Sequence, residues 1–188
     1  MTNFLNTLCT TRQLVHIFHM LRLYFLRHGK AKTDADLADI DRPLAERGRL
    51  DAAQMASRLT DWAEGPNLVL CSAAQRARET LAGIIPSLNG NILINIEVRL
   101  YTFDPTEVLG RLAEIPQSTA TVLLIGHNPA LEIATKFLTA DGSPAAMHQL
   151  NTKFPPCALA ALEFNTDSWP AIGAKTGRLV GFSTPTED

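Results

Sequence analysis

The sequence predicts an α/β domain built as a three-layer α/β/α sandwich around a mostly parallel central sheet. Short apolar runs, which read as strands, alternate along the chain with segments whose apolar residues recur at helical spacing. Strands that are separated by helices in this way pair in parallel and are buried on both faces. With 188 residues, the chain is long enough for one domain with a sizeable core.

The predicted elements follow one another in a regular order. The strands are apolar runs at 22–26, 67–71, 92–96 and 121–125, and two further strands, near 158–164 and 177–180, end the chain. The first helix opens at Pro43-Leu44, after a loop of acids and lysines from Lys30 to Asp41, and Gly65-Pro66 closes it. Its apolar face consists of Ala52, Met55, Ala56, Leu59 and Trp62. Further helices are predicted at 74–85, at 105–114 and from Pro129, a favourable first-turn residue, and a long polar connection at about 139–156 follows.

Composition argues against several classes of protein. The chain has 17 Lys and Arg against 19 Asp and Glu, so no overall positive field favours nucleic acid as a partner. The three cysteines, Cys9, Cys71 and Cys157, are too few and too scattered for a disulfide framework or a metal site. No apolar stretch approaches the length of a membrane span. We therefore expect a cytoplasmic protein without a metal or other cofactor, in which Cys71 is a buried strand-end thiol.

Residues 1–19 are predicted to be an N-terminal extension of unknown role, followed by a single domain over 20–188. The segment lacks both the basic head and the long apolar core of a signal peptide. A start assigned too far upstream, or an extension packed on the surface, is preferred to a targeting role.

The tripeptide Arg27-His28-Gly29 ends the first predicted strand and carries the clearest chemistry. An imidazole can attack phosphorus and hold a covalent phosphoryl group. The neighbouring guanidinium offers a rigid, permanently charged fork to phosphate oxygens, and the glycine allows the backbone to turn sharply. His28 is the predicted nucleophile and Arg27 part of a phosphate clamp.

Two further strand ends carry matching side chains. Ser72 ends the second strand, and Arg76 follows it at the start of a helix; Gly126-His127-Asn128-Pro129 follows the fourth strand. Ligands of open α/β sheets bind beyond the carboxyl ends of the strands, so these side chains are predicted to meet Arg27 and His28 in one crevice. Arg78 lies two residues beyond Arg76 and points elsewhere on a helix, toward the surface or an ion pair.

In these motifs and their order, the chain resembles the histidine phosphatase superfamily, which has the phosphoglycerate-mutase-like fold. The matching segments are Arg27-His28-Gly29, Asp41-Arg42-Pro43-Leu44 with Arg47-Gly48, Ser72 with Arg76-Ala77 and Thr80, and Gly126-His127-Asn128-Pro129. The ending, 158–164 and 177–180, is similar to that of SixA-type phosphohistidine phosphatases. The resemblance implies a phosphatase whose phosphate site consists of Arg27, His28, Arg76 and His127, the last as an imidazolium. Asn128 is a weaker candidate for a phosphate contact, since its amide has the alternative of shaping the turn before Pro129.

A general acid is harder to assign. Many members of the superfamily carry a carboxylic acid after the third strand; Glu97 and Asp104 lie there, but neither matches that motif cleanly. Glu97 is therefore either the acid or a strand-end surface carboxylate. An alkoxide leaving group needs a proton, whereas phosphohistidine carries a better leaving group, so a site without a well-placed acid favours phosphohistidine.

The sequence thus predicts a metal-independent phosphatase that acts through phospho-His28 on phosphohistidine in a partner protein. Two alternatives remain open at this point. One is a phosphatase of small phosphate esters, and the other is a catalytically weak phosphate-binding or scaffold module. Neither nucleic acid nor a membrane is expected as a partner.

Overall fold

Seven strands form one sheet within the part of the chain that a computed structural model describes, residues 20–33, 36–60 and 65–185. They are β1 (Leu21–Arg27), β2 (Leu68–Ser72), β3 (Leu93–Glu97), β4 (Thr121–Gly126), β5 (Thr139–Gly142), β6 (Leu159–Phe164) and β7 (Gly177–Ser183). Their order across the sheet is β3-β2-β4-β1-β6-β7-β5. Neighbours are parallel except for β1 with β6 and β6 with β7, which confirms the mostly parallel sheet.

Helices cover both faces of this sheet. They are α1 (Glu46–Thr60), α2 (Gln75–Ile84), α3 (Pro105–Ala113), α4 (Ala130–Leu138) and α5 (Pro144–Thr152). Successive side chains of a strand point to opposite faces: Leu23 and Phe25 of β1 pack with α3, α4 and α5, whereas Tyr24 and Leu26 pack with α1 and α2. The three-layer α/β/α arrangement is therefore confirmed. No helix among the described residues is long and apolar enough to cross a membrane.

The first helix begins later than its sequence pattern predicts, at Glu46 rather than at Pro43-Leu44. Leu44 is paired with Ala31 in an isolated antiparallel bridge, and the N–H of Ala45 donates to the carbonyl of Lys30 at 2.8 Å. These backbone contacts hold the segment extended against the loop that follows β1. The predicted apolar face, Ala52, Met55, Ala56 and Leu59, is buried as expected, while Trp62 and residues 1–19 lie outside the described residues.

The predicted polar connection at 139–156 is wrong, because it contains β5 and α5. Strand β5 has four residues and lies at the edge of the sheet beside β7, too short and too exposed to show a pattern. Helix α5 has a recognisable start: the Ser143 hydroxyl accepts from the N–H of Ala146 at 3.2 Å, and Pro144 follows the cap. Of its residues only Ala146 and Leu150 are buried, so its apolar periodicity is weak.

Candidate active site

The site lies where three adjacent parallel strands end. Strand β4 pairs with β2 on one side and with β1 on the other, so that Gly126 lies opposite Arg27. The N–H of His28 donates to the carbonyl of Gly126 at 3.1 Å. Because parallel strands end at one edge of the sheet, His28, His127 and the start of α2 meet there, as predicted.

Gly29 is required by close packing of backbones rather than by a left-handed turn. A side chain at Gly29 would place its Cβ 2.7 Å from the carbonyl oxygen of Gly48 and 3.1 Å from Sγ of Cys157. The N–H of Gly29 donates to Oγ1 of Thr80 at 3.0 Å, and that hydroxyl donates to the carbonyl of Arg76 at 2.7 Å. These contacts tie the loop after β1 to α2, and so fix His28 relative to Arg76.

His28 is held with one ring nitrogen ready for attack. Its Nδ1 lies 2.7 Å from the carbonyl oxygen of Gly29, and a carbonyl only accepts, so Nδ1 carries the proton. Nε2 is therefore unprotonated, and it accepts from Nε of Arg76 at 3.3 Å. The Gly29 carbonyl thus orients the ring of His28.

Burial lowers the pKa of His28 to about 4, and the charges of Arg76, Arg27 and Arg42 add to this effect, while the hydrogen bond to Gly29 opposes it. A histidine with this pKa is neutral at pH 7, which is the state that attacks phosphorus.

We expect the ring of His28 to titrate near pH 4 in the free protein, well below the ordinary histidine value of about 6.5. NMR of ring-labelled protein, followed as the pH is varied, checks this. A His28 resonance that titrates near the ordinary histidine value would contradict the electrostatic description of the site.

Arg76 connects the two histidines. Its side chain is almost fully buried; besides donating to His28, its second terminal nitrogen lies 3.4 Å from Nδ1 of His127 and 2.9 Å from Oδ2 of Asp39. A guanidinium only donates, so both histidines present an unprotonated nitrogen to it. Arg78 is exposed, as the helical phase predicted.

His127 packs against His28 and Phe103, which line the cavity, but is not itself among the described lining residues. It is 1% exposed, and its ring centroid is 4.9 Å from that of His28. Its Nε2 donates to the hydroxyl of Ser72 at 2.8 Å. Burial, then the proximity of His28 and Arg76, lowers the pKa of His127 to about 3. His127 is therefore neutral in the free site, and the predicted imidazolium in contact with phosphate stays a prediction.

Arg27 and Asn128 meet at the carbonyl of Phe154. A terminal nitrogen of Arg27 donates to this oxygen at 2.8 Å, and the Asn128 amide donates to it at 3.1 Å and to Glu132 at 3.0 Å. Within the described chain, Nε of Arg27 is buried without a hydrogen-bond partner, which leaves a donor beside the cavity. The amide donors of Asn128 are already engaged, so the structure favours its role in shaping the turn over its predicted phosphate contact.

A cavity of about 340 Å³ opens above these groups. Arg27, Arg42, Arg76 and Lys30 supply four cationic side chains to its wall, and Asp39 supplies the one carboxylate among the described lining residues. Asp39 accepts from Tyr101 at 2.6 Å, and also from Arg42 and Arg76. These hydrogen bonds, the one from Tyr101 above all, hold the pKa of Asp39 well below its ordinary range although partial burial opposes them. The cavity is thus net positive and suited to a dianion.

Glu97 is held in ion pairs and does not line the cavity, which argues against it as the general acid and favours the alternative of a strand-end carboxylate. It receives hydrogen bonds from Nε of Arg111 at 2.9 Å and from Nε of Arg99 at 3.0 Å. Burial raises its pKa, but these hydrogen bonds and charges outweigh burial, so the pKa of Glu97 is lowered. It remains ionised at neutral pH and has no proton to give. Asp104 caps α3, where it accepts from the N–H of Thr106 at 2.8 Å.

Neither buried cysteine of the described chain is a thiolate. Burial raises the pKa of both Cys71 and Cys157 to about 12, so neither is a nucleophile at neutral pH, and Cys71 is the buried strand-end thiol that was predicted. The described residues contain no group of three His, Cys, Asp or Glu side chains placed to hold a metal ion together.

Comparisons with known proteins agree with this geometry. Residues 23–119 match the model of the histidine phosphatase superfamily (branch 1). An uncharacterised protein of Mycobacterium tuberculosis is 32% identical over 164 residues, which cover 85% of this chain and 99% of the relative.

Two solved structures have the same phosphoglycerate-mutase-like fold. A candidate phosphohistidine phosphatase, SixA, from Nakamurella multipartitia superposes with a TM-score of 0.77 at 25% identity, over 89% of this chain and 98% of the other. Its counterpart from Agrobacterium tumefaciens gives a TM-score of 0.72 at 29% identity, over 88% and 98%.

Proposed function

Because the chain belongs to the histidine phosphatase superfamily and is a phosphatase, we propose that it hydrolyses phosphohistidine in proteins without a metal ion, through phospho-His28. The observation that carries this proposal is the state of His28. Its Nδ1 proton is held by the Gly29 carbonyl, and its Nε2 is unprotonated beside Arg76 in a cationic cavity.

In the first step Nε2 of His28 attacks phosphorus in line with the departing nitrogen, so one N–P bond forms as the other breaks. Two arginine nitrogens become donors to the phosphoryl oxygens. They are Nε of Arg76, which donates to Nε2 of His28 in the free site, and the unpartnered Nε of Arg27. Such donors stabilise charge as it moves onto these oxygens in the transition state. The arriving dianion also favours a positive His127, since an opposite charge raises a histidine pKa.

In the second step a water molecule attacks the phosphorus of phospho-His28, the N–P bond breaks, and inorganic phosphate leaves as H2PO4−, which carries both protons of the water. His28 departs as a neutral imidazole because Nδ1 keeps its proton on the Gly29 carbonyl. The hydrogen bond to Gly29 thereby serves both steps, orienting the ring for attack and making it a neutral leaving group.

The choice of phosphohistidine rests on the carboxylates around the site. Asp39 is held ionised by its three donors, Glu97 by two arginines, and Asp104 caps a helix. None of them holds a proton at neutral pH for an alkoxide leaving group. An imidazole whose other nitrogen is protonated leaves as a neutral ring, so phosphohistidine needs no such acid.

Replacement of Glu97 should therefore affect stability rather than chemistry. We expect Glu97→Gln to leave turnover of a phosphohistidine protein within roughly tenfold of the parent, short of a full general-acid effect. Since Arg111 is largely buried and loses its anionic partner, we also expect the free energy of unfolding to fall by about 1–3 kcal/mol. Steady-state kinetics and urea unfolding measure the two effects.

Asp104→Asn serves as the second arm, since it tests the other carboxylate of this segment while keeping a capping oxygen. Its turnover of a phosphohistidine protein should also stay within roughly tenfold of the parent. A loss of about a thousandfold in ester hydrolysis for Glu97→Gln would make Glu97 a working acid and favour a small-ester phosphatase.

Substrate preference tests the proposal as a whole. We expect a phosphohistidine protein to be turned over well and simple alkyl phosphates poorly, with equal rates in the presence of EDTA and of added divalent metal. A preference for alkyl esters, or a loss of activity in EDTA that metal restores, would contradict the proposed substrate or the proposed metal independence respectively.

A further inference from the structure

A second, larger depression adjoins the phosphate cavity. It has a volume of about 1200 Å³, compared with about 340 Å³ for the cavity, and both have Lys30 and Pro156 in their walls. The depression, which we call the basic groove, therefore lies directly beside the cavity at His28.

The wall of the basic groove is positively charged. Lys30, Arg47, Arg58 and Lys153 line it, and its one acidic lining residue among those described is Asp51. Asp51 is 8% exposed and accepts from Nε of Arg47 at 2.7 Å, so its charge is already matched. Within the described chain, Lys30, Arg58 and Lys153 have no carboxylate partner, and all three are exposed. The groove thus has spare positive charge.

These charges are spread along the groove. Arg47 and Arg58 lie on the same helix, α1, eleven positions apart. This spacing is three turns to within about 20°, with a rise of about 16 Å, so both lie on one face of the helix. The Arg47 end lies at the active site, because the backbone of Gly48 packs directly against that of Lys30. Arg58 is therefore at the far end, beyond the reach of a compact anion bound at His28.

An extended polypeptide fits this spacing. At about 3.3 Å per residue, a span of about 16 Å corresponds to about five residues. The floor adds apolar surface from Pro155, Pro156 and Phe182, which suits a chain that places alternate side chains on the floor and toward the cations.

We propose that the basic groove binds an acidic, extended segment of the phosphoprotein, with carboxylates about four to six residues from the phosphohistidine. This inference rests on the proposed function, since it assigns the partner segment of the same site. Charge complementarity of this kind acts on encounter and on specificity more than on the chemical step.

Matched phosphohistidine peptides test this inference. They differ only in carrying Asp or Ser about four to six residues from the phosphohistidine, on either side in separate peptides. We expect kcat/KM of the parent enzyme to be about tenfold higher for the Asp peptide on the side that follows the groove, and this advantage to shrink at high salt.

Two charge reversals provide the control. Arg58→Glu removes a cation of the groove, whereas Arg178→Glu reverses an exposed arginine on β7 that does not line it. We expect Arg58→Glu to abolish most of the advantage of the Asp peptide, and Arg178→Glu to preserve it. Both variants should hydrolyse free phosphohistidine at the rate of the parent, since neither residue lines the phosphate cavity.

The outcomes of these experiments distinguish a failure of the groove inference from a failure of the proposed function. Failure of the parent to hydrolyse phosphohistidine in any form, whether free, in the peptides or in a protein, would refute the proposed function. If the parent turns over free phosphohistidine but has equal kcat/KM for the Asp and Ser peptides, the groove inference alone would be overturned. An equal loss of the Asp-peptide advantage in Arg58→Glu and Arg178→Glu would overturn it as well. Stronger inhibition of peptide turnover by inorganic tripolyphosphate than by the unphosphorylated Asp peptide would also overturn it, in favour of a small polyanion as the ligand of the groove.

Discussion

His28→Ala is expected to abolish turnover, with a loss on the order of ten-thousandfold or more in kcat. The substitution removes the nitrogen that forms the covalent bond, and no other described side chain replaces it: His127 is 1% exposed with both nitrogens engaged, and Cys71 is a buried, protonated thiol. Steady-state kinetics with a phosphohistidine protein and with a chromogenic aryl phosphate measures the loss.

The variant is expected to fold. The backbone around position 28 is held by the bond from its N–H to Gly126 and by the bond from Gly29 to Thr80, neither of which uses the imidazole. A melting temperature close to that of the parent, together with lost activity, separates chemistry from stability. Near-normal turnover by His28→Ala would refute covalent catalysis in this protein.

Arg76→Ala is expected to lose about a hundredfold in kcat/KM, equivalent to about 3 kcal/mol of transition-state stabilisation. Arg76 is buried, donates to both histidines, and lines the cavity in which we propose that the phosphoryl group binds. Its removal takes away a charged donor and the contact that fixes the ring of His28.

Arg78→Ala is the matched control, because Arg78 lies two residues away on the same helix but is exposed. The kcat/KM of this variant should stay close to that of the parent. Arg76→Lys should recover little of the loss, because an ammonium group keeps the charge but not the fork that reaches both histidines. Equal losses for Arg76→Ala and Arg78→Ala would show that the phosphate clamp is not at Arg76.

The residues at the strand ends could be predicted because their placement follows from topology. Consecutive parallel strands end at one edge of the sheet, so motifs after β1, β2 and β4 converge without knowledge of their side-chain contacts. Helical spacing, rather than topology, predicted that Arg76 and Arg78 point in different directions. Local apolar periodicity sufficed to predict most helices. Strand β5 was not predicted, because its four residues at the sheet edge show no alternation of apolar and polar side chains.

The environment of each site residue could not be predicted in the same way, since it depends on contacts between distant segments. Asp39 meets Arg76 across 37 positions and Tyr101 across 62, and nothing in an acidic loop distinguishes it from its neighbours. Glu97 looked like a free strand-end carboxylate because Arg111, its buried partner, lies 14 positions later on α3. The neutral state of His127 likewise follows from burial beside another histidine.

The phosphoenzyme is the most direct test of the central claim. The protein is mixed with a substrate carrying a labelled phosphoryl group, quenched within one turnover, and the label is mapped by peptide mass spectrometry under alkaline conditions. We predict label on His28, labile to acid and stable to base, and none in His28→Ala. Full turnover without any label on His28, or label on a different residue, would contradict the mechanism.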